Sequence, residues 1–255
     1  MGPFGNVDAI SDEFVTKLAA DEQLVIERNT DSGGILSSML ELELPSEEYE
    51  RLDPNVIDFY ENTTRYELGL TVRWSPLFRI FGKMLVSLYS KRLEQLNLPL
   101  DSLDTHDAIH SEVMTLREEE TGQAKYTVWC RKFVSSQQTM YSGIYGTCTL
   151  PSGLRCVKTV FPLPRGNATV ILAPTVGQNG ELHLESSGNR FGDPGFYFLL
   201  SDSKGGYWAQ YVRSFREQLI VHTNDEGHLQ ATQTMTLFRQ RLLDIQYDIR
   251  LKTQK

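Results

Sequence analysis

The feature that most constrains the fold of this 255-residue chain is a period-two alternation of apolar and polar residues from about Asp107 almost to the C-terminus. This period is typical of half-buried strands, and short turn-forming segments rich in Gly, Asn and Pro separate the runs. The candidate strands are residues 109–118, 124–134, 138–149, 154–162, 167–174, 180–186, 195–201, 207–222, 228–236 and 242–250. Because these connections leave no room for helical crossovers, the pattern predicts an antiparallel meander and excludes a parallel α/β sheet.

A meander of about ten strands is expected to curl, because closure into a barrel removes the open sheet edges. Four glycines inside strand-like runs predict the bulges or bends that such curvature requires: Gly143, Gly146, Gly192 and Gly195. The predicted fold class is therefore α+β. It is a long antiparallel meander curled into a calycin- or lipocalin-like barrel or a strongly bent sheet, with N-terminal helices covering it.

The first hundred residues predict most of the helices. A Ser11 N-cap predicts a helix through about Glu27, and Pro76 after Ser75 predicts the clearest helix, over residues 76–97. Further helix starts are predicted at Ser46 and Pro54, and strand-like alternation occurs within Ile35–Leu44 and Tyr66–Trp74. No Pro- or Ser-rich linker interrupts the chain, so we expect one domain over 1–255. Its helix-rich cap spans 1–105 and its antiparallel β body spans 106–255.

The charge of the chain is unevenly distributed. The 33 acidic and 25 basic residues give a formal net charge of −8. Residues 1–61 hold 15 acidic and 3 basic side chains, whereas the remaining 194 residues hold 18 and 22 and are mildly basic. The low positive charge argues against a nucleic-acid partner held by phosphate contacts, but it leaves room for an anionic ligand on the β body.

The cysteines and the apolar runs bear on compartment and membrane topology. Cys130, Cys148 and Cys156 form no CxxC motif, so neither a disulfide framework nor a zinc site is predicted. We expect three small, buried thiols in a reducing compartment, and hence a cytoplasmic protein. The N-terminus lacks the pattern of a secretory signal, and no run of 18 apolar residues predicts a membrane span.

Metal and cofactor sites are not predicted. His106 and His110 have the i, i+4 spacing of a helical metal site, but they lead into a predicted strand, where residues four apart are separated by about 13 Å. The sequence contains no GxSxG, P-loop or dinucleotide motif, and we predict no cofactor.

Aromatic and basic side chains interleave along the predicted strands. One face of each strand of a barrel points into the lumen, and a lumen with aromatic and cationic residues suits an apolar ligand with a polar or anionic head. The predicted ligand-binding residues are Trp129, Arg131, Tyr145, Lys158 and Arg190. Arg190 lies in the Gly- and Pro-rich segment 186–195, which is typical of a backbone nest for an anion and equally of a structural turn.

The leading hypothesis is binding of an apolar small molecule, such as a lipid, acyl or isoprenoid-like ligand, in the barrel. A second hypothesis is an enzyme that uses acid–base groups in the same cavity, with Glu112, Lys158, Asp193 and His110 as candidate catalytic residues. That hypothesis requires at least two of the four to converge. A third hypothesis is a protein-interaction module, and the sequence leaves the oligomeric state open.

Overall fold

A computed structural model describes residues 13–28, 33–76, 78, 109–134, 139–202 and 204–252. The predicted helix 76–97 lies outside these ranges except for Pro76 and Phe78, as does His106.

Three short α-helices and thirteen strands make up the described chain. The helices are α1 (Glu13–Asp21), α2 (Ser46–Arg51) and α3 (Pro54–Glu61), with 3-10 turns at Met39–Leu42 and Thr63–Arg65. The strands are β1 (Leu24–Arg28), β2 (Tyr66–Trp74), β3 (Ile109–Glu118), β4 (Ala124–Phe133), β5 (Thr139–Thr149), β6 (Arg155–Leu163), β7 (Gly166–Val176), β8 (Leu182–Glu185), β9 (Gly195–Ser201), β10 (Tyr207–Tyr211), β11 (Phe215–Thr223), β12 (Leu229–Leu237) and β13 (Gln240–Leu251).

Ten of the strands close into an antiparallel barrel. Their order around the barrel is β2-β3-β4-β5-β6-β7-β8-β11-β12-β13 and back to β2. The short strand β8 closes the circle because Leu182 pairs with Val176 of β7 and with Val221 of β11. The β9–β10 hairpin extends from β7, and β1 pairs with β3 outside the circle. The predicted curled antiparallel meander is thus confirmed as a closed barrel, whereas its calycin or lipocalin character stays a prediction.

Alternation along each strand separates a lumenal face from an outer face. On β4, the side chain of Trp129 belongs to the large lumenal core, whereas Val128 and Cys130 belong to a second core on the outer face. Helix α1 covers this outer core with Phe14 and Val15.

Three sequence predictions of secondary structure were wrong. The predicted helix 11–27 ends at Asp21, because Gln23 has a left-handed φ of 53° and the chain then continues as β1. The alternation in 35–44 forms a 3-10 turn, which the Ser38 hydroxyl caps by accepting the Leu40 N–H. The predicted strand 207–222 is divided into β10 and β11 by a turn at 212–214.

The glycines inside strand-like runs are not the bulges that the sequence predicts. Register shifts lie elsewhere, between Leu116 and Arg117, Arg131 and Lys132, and Met235 and Thr236. Gly143 instead makes room for an aromatic ring, because a Cβ there would lie 2.9 Å from Phe161 Cε1. Gly146 has no atom within 4 Å of its would-be Cβ.

The two ends of the barrel differ. At one, which we call the helix-bearing end, α2 and α3 contact the β7–β8 region: Glu48 accepts the Val176 N–H at 2.8 Å and the Asp53 N–H donates to Gly180 O at 3.0 Å. At the other, which we call the arginine-rich end, lie the β6–β7, β9–β10 and β12–β13 turns and the start of β11. Whether the N-terminal region as a whole covers the barrel stays a prediction.

Candidate ligand-binding site

A cluster of polar and aromatic side chains, the lumenal cluster, lies on the inner faces of β4, β5, β11, β12 and β13. Its members are Trp129, Arg131, Tyr141, Tyr145, Glu217, Gln233 and Tyr247. The barrel brings them together from five strands, so only closure of the sheet creates the cluster.

Arg131 is the centre of this cluster. The residue is only 6% exposed, and its Nη2 donates to the Tyr145 hydroxyl at 2.9 Å. Its guanidinium carbon lies 4.1 Å from the ring centroid of Trp129 and 4.8 Å from that of Tyr141, which is the cross-strand neighbour of Arg131. The Trp129 Nε1 donates to Ser111 Oγ at 2.8 Å, which fixes the indole. Aromatic faces therefore carry much of the stabilisation of this buried cation.

A chain of hydrogen bonds beside Arg131 ends on a carboxyl group. It begins at Tyr247, which is near enough to Arg131 to feel its charge and whose hydroxyl donates to Gln233 Oε1 at 2.8 Å. The Gln233 Nε2 in turn donates to Glu217 Oε1 at 2.6 Å. No carboxylate of the described residues lies within ion-pair distance of Arg131, so the charge of Glu217 acts on it through space.

The electrostatics of the cluster follow from burial. Burial raises the pKa of the Glu217 carboxyl, and the Gln233 hydrogen bond and the charge of Arg131 only partly oppose it. Burial likewise raises the pKa of Tyr247 to about 12 and raises the pKa of Tyr145. The tyrosine hydroxyls are therefore neutral hydrogen-bond donors at physiological pH.

Two buried donors of the cluster have no partner. Arg131 Nε and the Tyr141 hydroxyl make no hydrogen bond. An unsatisfied buried polar group costs about 1–3 kcal/mol, and more when it is charged. Both groups belong to one cross-strand pair, and each lacks an acceptor among the described residues.

Three of the five predicted ligand-binding residues meet in the lumen, and two do not. Trp129, Arg131 and Tyr145 are in direct contact. Lys158 instead shares the outer face of β6 with Val160, because the alternation that turns Val157 inward turns its neighbour outward. The side chain of Arg190 is 87% exposed.

The segment around Arg190 is a turn that a carboxylate of the chain itself stabilises. Asp193 Oδ2 accepts the N–H groups of Asn189 at 2.9 Å and of Arg190 at 3.2 Å, and Asp193 Oδ1 lies 3.7 Å from Arg190 Nε. These hydrogen bonds hold the pKa of Asp193 below its usual value. The backbone donors that would form an anion nest are thus already bonded to Asp193.

The four candidate acid–base residues do not converge. Glu112 lies on the outer face of β3 and pairs with Arg28 of β1 at 3.0 Å, and His110 is exposed on the same face. Lys158 lies outside on β6, and Asp193 is in the β8–β9 turn. Their geometry therefore gives the acid–base hypothesis no support.

Sequence reasoning missed Glu217, Gln233 and Tyr247. The sequence signal that could have identified them is a polar residue at an inward-facing position of a strand whose other inward-facing residues are apolar. Gln233 lies between the inward Ala231 and Met235, and Tyr247 lies between Ile245 and Ile249.

Outside the lumenal cluster, the described residues form surface depressions but no candidate metal site. The described residues contain no group of three or more His, Cys, Asp or Glu side chains suited to a metal ion. Two surface depressions of approximately 390 and 320 Å³ lie outside the lumenal cluster. The larger is at the arginine-rich end, between Arg213 and Arg239, and the smaller is beside α2, between Leu40 and Tyr49.

The chain is similar in sequence to a bacterial protein. The chain is 25% identical over 242 residues to "Uncharacterized membrane protein YndJ" of Bacillus subtilis (strain 168). The match covers 94% of this chain but only 41% of that protein. No family model matches the chain, and no solved structure matches it. Within the described part of the chain, no helix has the length and apolar character that a membrane crossing requires.

Proposed function

We propose that the protein binds a small amphipathic molecule inside the barrel and that Arg131 holds its anionic head. The observation that carries the proposal is a buried guanidinium with no carboxylate partner among the described residues, next to a second unsatisfied donor on Tyr141. A carboxylate or phosphate oxygen would accept from both groups.

The charge of the cluster favours an anion. A buried cation is expensive unless it is paired and fully hydrogen-bonded. The acid that interacts with Arg131 is Glu217, and burial shifts this carboxyl toward its neutral form. The guanidinium also has the planar donor geometry that suits bidentate recognition of carboxylates and phosphates.

The remainder of the lumenal surface favours an apolar tail. The lumenal core is built from aliphatic side chains of several strands, including Leu70, Val113, Val170, Leu184, Ala231 and Ile245. A ten-stranded barrel is wider than the eight-stranded barrels that hold one small ligand. A lipid, acyl or isoprenoid-like molecule combines such a tail with an anionic head, and the relative named a membrane protein makes a membrane lipid a natural source.

The test compares two ligands that differ only in charge. The full chain is stripped of lipid by organic extraction, refolded, and titrated with a fluorescent fatty acid and with the methyl ester of the same acid. We expect saturable binding of one acid molecule and affinity about ten- to a hundredfold lower for the ester, the range of one charged hydrogen bond. Native mass spectrometry of the purified chain provides an independent readout of bound ligand.

Equal affinity for acid and ester contradicts the assignment of Arg131 as the anchor. The absence of saturable binding of either ligand contradicts the lumenal site altogether.

A further inference from the structure

We infer that the arginine-rich end of the barrel docks on the surface of an anionic lipid bilayer. This inference concerns the outer surface, so it stands independently of what the lumen binds. Two independent sets of side chains at this end point to it, one of them charged and the other aromatic.

The first set consists of arginines without acidic partners. Arg165 lies in the β6–β7 turn, Arg213 precedes β11, and Arg239 lies in the β12–β13 turn; all three are exposed and pair with none of the described carboxylates. The Arg216 guanidinium donates to the neutral amide oxygen of Asn189 at 3.0 Å. Arg213, Arg216 and Arg239 share the depression of approximately 390 Å³ at this end.

Neighbouring acids neutralise two further arginines only. Arg190 pairs with Asp193 at 3.7 Å, and Arg241 pairs with Asp244 at 3.3 Å. Asp202 in the β9–β10 turn is a further exposed carboxylate of this end; it accepts from the Trp208 indole at 3.5 Å, and the exposed Lys204 in the same turn offsets its charge. With Arg165, Arg213, Arg216 and Arg239 unpaired with acids, the described residues of this end retain an excess of positive charge, although the whole chain is acidic.

The second set consists of exposed aromatic side chains. Among the described residues, the aromatic side chains that are largely exposed are Phe191, Tyr207, Trp208 and Phe238. Trp208 and Phe238 are 69% and 72% exposed. Phe238 lies in the β12–β13 turn, and Trp208 is on β10 next to the β9–β10 turn, so both are at the arginine-rich end. Phe191 lies toward the helix-bearing end, because a Cβ at its neighbour Gly192 would lie 3.7 Å from Pro151 in the β5–β6 turn. Other exposed large apolar residues of that end, such as Leu40, Leu154 and Leu251, are aliphatic.

This combination matches the chemistry of a bilayer interface. Trp and Tyr concentrate where acyl chains meet headgroups, because an apolar ring and a polar edge are satisfied together there. Each Arg near an anionic lipid surface strengthens binding by about fivefold at physiological ionic strength. An acidic protein partner would match the arginines equally well, but acidic charge alone would not account for the exposed rings of Trp208 and Phe238 at the same end.

The negative charge of the helix-bearing end would give the protein one preferred orientation on an anionic bilayer. Exposed carboxylates lie at the helix-bearing end: Glu43, Glu47, Glu50, Asp225 and Glu226. The bilayer repels these groups and attracts the arginine-rich end. The protein is therefore expected to stand on the membrane with its barrel axis steeply inclined to it.

The test is co-sedimentation of the full chain with vesicles of phosphatidylcholine alone or mixed with phosphatidylglycerol. We expect binding to the mixed vesicles only, with a decrease as salt is raised from 0.15 to about 0.5 M, where the Debye length is roughly halved. The double variant R213E/R239E is expected to bind at least twentyfold more weakly. Arg250→Glu makes the same type of charge change at the helix-bearing end, where Arg250 pairs with Asp248, and is expected to change binding less than twofold.

A second measurement places the aromatic side chains. Brominated phospholipid is expected to quench part of the tryptophan fluorescence in wild type, and the quenching is expected to fall in Trp208→Phe. Failure to bind mixed vesicles overturns the inference, as does equal weakening by R213E/R239E and R250E. A partner protein or nucleic acid at this end predicts the first of these outcomes.

Discussion

Replacement of Arg131 by Met tests whether this residue contributes mainly to the stability of the fold or to ligand binding. Met has a similar length without the charge, and it fills the space between Trp129 and Tyr141 with apolar atoms. The substitution removes the Tyr145 hydrogen bond at 2.9 Å and two cation–aromatic contacts at 4.1 and 4.8 Å.

The structure places the expected change in stability near zero. Two desolvated cation–aromatic contacts contribute about 2 kcal/mol each, and one charged hydrogen bond contributes about 1.5–3 kcal/mol. The effective penalty for burying one ion is also several kcal/mol. The opposing contributions are similar in size, so we expect Arg131→Met to change the free energy of unfolding by less than about 2 kcal/mol.

Urea denaturation monitored by circular dichroism and tryptophan fluorescence measures this difference. Leu184→Ala calibrates the interior, because Leu184 is 1% exposed in the same core and its truncation should cost about 2–5 kcal/mol. If Arg131→Met destabilises the protein as much as Leu184→Ala does, the guanidinium is a structural element of the core and not a group retained for binding.

Three further predictions concern titration, packing and thiol chemistry. The raised pKa of Glu217 favours the neutral carboxyl in the folded state, so the free energy of unfolding should fall as the pH rises from the ordinary glutamate pKa to the raised one. Urea denaturation at a series of pH values should show this fall in wild type and its loss in Glu217→Gln. Gly166→Ala should lower the free energy of unfolding by about 1–3 kcal/mol, because the new Cβ would lie 2.2 Å from a backbone oxygen of β9. Gly146→Ala is the control: its new Cβ would have no atom within 4 Å, so it should have little effect in the same denaturation assay. Burial raises the pKa of Cys156 to about 12 and also raises the pKa of Cys148, so few of these thiols are ionised at neutral pH. Native protein should therefore react with iodoacetamide far more slowly than urea-unfolded protein, as measured by mass spectrometry of the alkylated peptides. Comparable rates in the two states would contradict the burial of these thiols.

Strand positions were accessible to sequence reasoning because alternation is a local signal. β3 and β9 match their predicted bounds, and the other predicted strands of the meander differ mainly at their ends, apart from the division of 207–222. Closure was inferred from the need to remove sheet edges. The sequence did not identify Gln23 as the residue that ends α1 in a left-handed conformation, since any side chain adopts that conformation only when tertiary contacts require it.

Alternation along a strand explains why some of the predicted ligand-binding residues lie together in the lumenal cluster and others do not; their role in binding stays a prediction. Trp129 and Arg131 are two residues apart on one strand, so the sequence places them on one face without any knowledge of the barrel. Lys158 was misplaced because parity alone does not say which of the two faces is the lumen.

Glu217 illustrates what the sequence could not provide. The turn at 212–214 breaks the alternation between β10 and β11, so the face of Glu217 cannot be extrapolated from Tyr207 or Tyr211. Arg131 and Glu217 are close only because the barrel closes through β8, a strand of four residues that pairs with β11. Such long-range pairing leaves no local trace in the sequence.

Isothermal titration of a single-chain fatty acid into wild type, Arg131→Met and Arg190→Met tests the central claim most directly. Arg190→Met removes an equal charge from the surface, 87% exposed, and serves as the matched control. We expect one saturable site with equal affinity in wild type and Arg190→Met, and affinity at least about tenfold lower in Arg131→Met. Equal affinity in all three proteins, or no saturable heat in wild type, would contradict a lumenal site anchored by Arg131.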